Sequence, residues 1–209
     1  MKKRLLLPLL LLLTGCNVLE WPAYVLFGQE SRTVPAAYKG LESRRTAILV
    51  IGQPGIDFEY PFARLDLALA IQDQIAKNVP GVVFVDPQRT EEVMRTEVDF
   101  LALSIPEIAQ RLDAQRLAYV ELLQFTMREP ESINLLRGHV WAQVSVFETD
   151  ALEPEKPAFE TEIEVIYPVN APVPASDESR YSVWQNTIAR AADQLARQFY
   201  KHKESTRTQ

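Results

Sequence analysis

The chain has 209 residues, of which 47% are hydrophobic and 24% charged, and its 22 Lys and Arg against 28 Asp and Glu give a formal charge of −6. That balance argues against nucleic acid as a partner, because phosphate neutralisation dominates such binding, and against adhesion to anionic lipid through basic patches. Cys16 is the one cysteine, so no internal disulfide is available and stability has to come from a packed core.

Lys2, Lys3 and Arg4 precede an apolar run from Leu5 to Leu13 and then small residues, the layout of a secretory signal. The run falls well short of the ~20 residues a membrane-spanning helix needs, and Pro8 interrupts it. Residues 1–15 are therefore expected to be a signal peptide. Leu13-Thr14-Gly15-Cys16 resembles the bacterial lipobox. The resemblance implies a diacylglyceryl thioether on Cys16 Sγ, cleavage after Gly15 and acylation of the freed amine, giving the several chains that stable anchoring needs. The alternative is an ordinary secreted protein with a stray or buried thiol. In the sorting rule of enteric bacteria, Asp after the cysteine retains a lipoprotein at the inner membrane. Asn17 stands there instead, which implies the periplasmic face of the outer membrane. Cleavage would leave 19 Lys and Arg against 28 Asp and Glu, a body still more acidic than the whole chain.

Residues 16–45 read as a lipidated N-terminus and tether, with Pro22, Gly28, Pro35 and Gly40 and no sustained period. The patch Trp21 to Gly28 breaks its polarity; it either packs on the domain or rests at the lipid headgroups, and Trp21 is also a candidate for partner contact. Residues 46–203 read as a single α/β domain and 204–209 as a disordered tail. Thr46 to Gly52 is a continuous apolar run, as in a strand covered on both faces. The loop QPGIDFEYPF follows, then a helix with Leu65, Leu69, Ile71, Ile75 and Val79 at helical spacing. Val82 to Val85 is a second short strand. Asp86-Pro87 opens a helix to about Arg95, and the capping box Ser104 to Glu107 opens another to about Ala114. Leu117 to Met127 is the third strand. Two alternating runs follow, one with Val140, Ala142, Val144 and Val146, the other with Phe159, Thr161, Ile163, Val165 and Tyr167 opposite Glu160, Glu162 and Glu164. These last three strands are expected to form an antiparallel meander, with a final helix over roughly residues 181–200. The order β-α-β-α-α-β-β-β-α gives a two- or three-layer α/β sandwich with a mixed sheet.

Catalysis has little support in these residues. His202 lies in a charged tail, and His139 sits beside Gly138 at a strand position. Nucleophile motifs, metal-ligand pairs and phosphate loops are absent from the sequence, so no cofactor or metal is expected. Phe58, Tyr60 and Phe62 alternate along one loop, either as a partner-contact surface or as rings closing the domain's own core. The glutamate ladder 160/162/164 reads as a solvated face that discourages edge pairing.

The succession of strand, helix, GVVFVD, AQRLDAQRLAYVELLQF, two long strands and a terminal helix resembles a group of envelope lipoproteins. The group includes the curli-secretion lipoprotein CsgG, the exopolysaccharide-export lipoprotein PelC, the penicillin-binding-protein activator LpoB and the N-terminal domain of TolB. The resemblance implies non-enzymatic work, such as ring assembly or docking on an export or envelope-building machine, with an envelope protein partner or a homo-oligomer. A pore is not expected, because the meander's strands are needed for the domain's own sheet. The alternative is a lipid-anchored enzyme with a dispersed carboxylate site, for which Asp66, Glu91 or Glu121 would have to meet in a deep cleft.

Overall fold

In the computed structural model, which describes residues 31–205, the chain runs β1 (Ser31–Val34), β2 (Arg45–Gly52), α1 (Pro54–Glu59), α2 (Ala63–Asn78) and β3 (Val83–Phe84). It continues through α3 (Pro87–Thr96), α4 (Ile105–Arg111), β4 (Arg116–Arg128), β5 (Leu135–Glu148), β6 (Phe159–Tyr167), β7 (Val173–Pro174), α5 (Asp177–Ala196) and β8 (His202–Ser205). The main sheet has the order β3-β2-β4-β5-β6, with β7 beside β5. Helical crossovers make β2 parallel to both β3 and β4, and short connections make β4, β5 and β6 antiparallel. The result is the mixed-sheet α/β sandwich that the element order implies.

One face of the sheet packs on α2 and α5. Val120, Leu122, Val140, Ala142, Val144 and Ile163 meet Leu67, Ile71, Ile188 and Leu195 there in a continuous apolar cluster. A bulge in β4 keeps this face apolar along the whole strand. Leu122 pairs with Ala142 and Gln124 with Trp141, so Leu123 is an extra residue and the inward positions change from even to odd. Phe125 and Met127 therefore join Leu122 in the core. Helix α5 crosses β5 very closely at Gly138, where an added Cβ would stand 1.9 Å from Thr187 Oγ1. Only a residue without a side chain fits. The opposite face is covered at one end, where Phe100, Ile108 and Leu112 close over Leu49, Leu117 and Phe147. Over the rest of β4, β5 and β6 it carries polar side chains.

Several expectations need correction. The stretch after β2 is not all loop, since Pro54, at the first helical position, starts α1. The buried stripe of α2 is Ala63, Leu67, Ala68, Ile71 and Ile75. Leu69 is exposed and Leu65 half-buried, because alanines let the helix lie close to the sheet and so rotate the stripe. Strand β3 has two residues rather than four. Helix α4 stops at Arg111, as Asp113 adopts a left-handed φ of 51°. The Asp113 N–H donates to Gln110 O at 3.1 Å and the Ala114 N–H to Ala109 O at 2.9 Å, the bonds of a Schellman cap. Helix α5 begins one turn early, at a capping box in which Ser176 and Ser179 bond reciprocally.

Of the segments read as tether and tail, residues 31–45 and 204–205 lie within the described structure. Tyr38 stacks on Phe159 at 5.7 Å and Leu41 is buried, so residues from Ala36 onward belong to the compact unit Ala36–Tyr200. Outside that unit, β1 and β8 form an antiparallel ribbon, with Ser31 opposite Ser205 and Val34 opposite His202. His202 is thus a strand residue.

Candidate binding site

The aromatic segment 58–62 is split by its own backbone. As an extended loop it would turn all three rings to one side, because alternate residues of an extended chain share a face. Here α1 ends at Glu59, and Tyr60 forms its C-cap before Pro61. Phe58 and Phe62 point outward, 91% and 69% exposed, while Tyr60 turns into the protein. Its ring lies 5.1 Å from Phe125 and 6.2 Å from Trp184. Its hydroxyl accepts the Met127 N–H at 3.2 Å and donates to Glu59 Oε1 at 3.0 Å. Tyr60 therefore works as a peg that fixes the turn bearing the two exposed rings.

A second set of contacts holds α1 from the other side. Arg64 on α2 pairs with Asp57 of α1 at 3.2 Å and with Glu91 of α3 at 3.3 Å. Burial pushes the Glu91 carboxyl above the ordinary range, against the pull of Arg64. Asp66 accepts the Trp184 indole N–H at 2.8 Å. Glu121 lies on the polar face of the sheet, opposite Gln143 and near enough to Tyr119 to help raise its pKa, after burial. Asp66, Glu91 and Glu121 thus have separate partners, and the structure does not gather them into one cleft. Among the described residues no group of three or more His, Cys, Asp or Glu side chains is placed to hold a metal ion.

The residues missed from sequence surround Tyr60. A cavity of about 270 Å³ opens beside it, floored by Met127, Leu136 and Val183 and walled by Trp184. Glu59, Arg128 and Arg180 stand at its lining as the charged groups. Arg180 and Trp184 are one turn apart on α5, a spacing visible in the sequence, but nothing local announces that β4 delivers Arg128 to the same place.

The polar sheet face is a separate feature. Glu160, Glu162 and Glu164 project together from β6, which lies at the end of the strand order. His139 Nε2 lies 2.9 Å from Glu164 Oε1, and the Trp141 indole N–H donates to Glu162 at 3.3 Å. These are diagonal cross-strand pairs. Cys16 and Trp21 lie outside the described residues.

No protein-family model matches the sequence, and no curated protein matches it. Similar solved structures include a PelC dodecamer from Paraburkholderia phytofirmans, 10% identical with a TM-score of 0.46, covering 82% of this chain and 99% of that one. Lipoprotein GNA1162 from Neisseria meningitidis is 10% identical with a TM-score of 0.43, covering 71% and 98% of the two chains. Protein XCC0632 from Xanthomonas campestris is 11% identical with a TM-score of 0.40, covering 80% and 90%. At such low identity and similarity, function has to be argued from this chain's own residues.

Proposed function

We propose that the protein is a lipid-anchored binding and assembly module of the bacterial envelope, held at the periplasmic face of the outer membrane through Cys16, that works by contact rather than catalysis. One observation carries the reading: a basic head, an apolar run and Leu13-Thr14-Gly15-Cys16 follow one another in the order lipid attachment requires. The contact surface is the turn carrying Phe58 and Phe62. Large apolar rings that exposed are costly to leave in water, and here a pegged tyrosine and an arginine ion-pair network hold their mount rigid. Rigid presentation lowers the entropy lost on binding. Trp21 and self-association belong to the same reading.

Mass analysis of the N-terminus tests the anchor. A triacylated Cys16 is expected, and a free thiol behind an uncut leader overturns the assignment. A photo-crosslinker at Phe58 in intact cells tests the contact surface. Crosslinks to an envelope protein or a second copy are expected, lost in Phe62→Ser. A monomer without crosslinks overturns the assembly role.

A further inference from the structure

We propose that the cavity beside Tyr60 receives the C-terminal residue of a polypeptide, with one bulky apolar side chain packed against the edges of Tyr60 and Trp184 and the free carboxylate held by Arg128 and Arg180. The proposal rests on the binding-module reading and supplies the partner's chemistry.

Size comes first. At about 270 Å³ the cavity lies just below the ~300–1,000 Å³ typical of small-molecule sites, a size that suits one large side chain better than a nucleotide. Chemistry narrows the occupant further. The polar atoms of the walls are already engaged, the Tyr60 hydroxyl with Met127 and Glu59 and the Trp184 indole with Asp66. An apolar group entering there strands no donor or acceptor, and the buried floor of Leu136, Val183 and Met127 offers it dispersion contacts.

Charge selects what accompanies that group. In a chain with six more acids than bases, two guanidinium groups and one carboxylate, Glu59, line one small opening and leave it net positive. Arg128 meets only Glu59, at 3.7 Å, longer than a hydrogen bond. Arg180 has no ion-pair partner among the described residues. It also sits near the N-terminus of α5, where the helix dipole disfavours a cation, so local helix stability does not account for it. Planar guanidinium groups pair with carboxylates in a fixed, often bidentate geometry.

The test is fluorescence polarisation with the full-length lipidated protein in nanodiscs. The probe is labelled Gly-Ser-Gly-Ser-Phe with a free carboxylate, compared with its C-terminal amide and with decanoate as competitor. The acid is expected to bind, with the amide and the Arg180→Glu protein each weaker by at least about tenfold, the loss of one charge-assisted pair. Arg180→Lys, which keeps the charge and loses the planar fork, should fall between the wild type and Arg180→Glu. Equal binding of acid and amide, unchanged binding by Arg180→Glu, or preferential binding of decanoate overturns the proposal. Arg180 is exposed, and an unchanged melting curve shows that its variants fold. The failures separate cleanly. An unlipidated Cys16 removes the anchor and leaves peptide binding intact, whereas absent peptide binding with crosslinks still formed at Phe58 removes the cavity proposal alone.

Discussion

The two faces of the main sheet are built from the same strands and carry opposite chemistry. Toward α2 and α5, β4, β5 and β6 present Val120, Leu122, Val144, Ala142 and Ile163, all buried. On the other side the same strands present Glu121, Gln143, Trp141 and the three glutamates of β6. The difference shows where folding free energy comes from. Apolar area removed from water contributes roughly 25 cal/mol per Å², so the helix-covered face dominates stability. The polar face tolerates side chains chosen for other reasons, and its carboxylates along an edge strand oppose pairing with another sheet.

The largest test of this contrast sets Leu122→Ala against Trp141→Ala in urea unfolding. Leu122 is fully buried, and its truncation should cost about 2–5 kcal/mol. Trp141 is 40% exposed and bonds only to a solvated glutamate, so its loss should cost less than about 1 kcal/mol, in line with surface changes. Similar losses at the two positions would break the contrast.

Gly138→Ala sharpens it by overfilling the covered face rather than emptying it. A methyl group there meets Thr187 and should cost about 1–3 kcal/mol. Adding Thr187→Ala, which removes the two closest atoms, should restore part of that loss, as a double-mutant cycle would show.

A smaller effect concerns the local helix that covers the end of the second face. Ser104→Ala removes the capping box of α4 and should cost about 1 kcal/mol, read from the melting midpoint.

The smallest is electrostatic, at the sheet end shared by both faces. Buried Arg116 donates to Asp150 Oδ1 at 2.5 Å and to Gly40 O at 3.0 Å. The Arg116 hydrogen bond holds the Asp150 carboxyl below its ordinary range. A carboxyl so depressed stabilises the fold fully above its unfolded pKa, and the contribution disappears as pH falls through the folded value. Asp150→Asn should therefore flatten the acid side of the stability profile below about pH 4 and leave the alkaline side unchanged. A profile with the same acid slope would show that Asp150 contributes nothing there.

Much of the fold was legible because period-two and period-3.6 patterns report burial directly. Val140, Ala142, Val144 and Val146 alternate as read and face the core, and Asp86 and Ser104 start α3 and α4 where their cap chemistry places them. Pattern reading failed where tertiary structure overrode it. The Leu123 bulge changes parity within one strand, and the alanines of α2 pack as core residues although their hydrophobicity is modest. The candidate site was half visible. Phe58, Tyr60 and Phe62 stood out, but a single helical turn decides which rings face out. Arg128 and Arg180 lie 52 positions apart and meet only because α5 returns across the sheet.

The β1–β8 ribbon has a practical consequence. Its antiparallel register sets Thr33 opposite Lys203, both exposed. A pair of spin labels at those two positions would therefore report the closed ribbon as a short distance, and its lengthening would show the ribbon opening independently of the core.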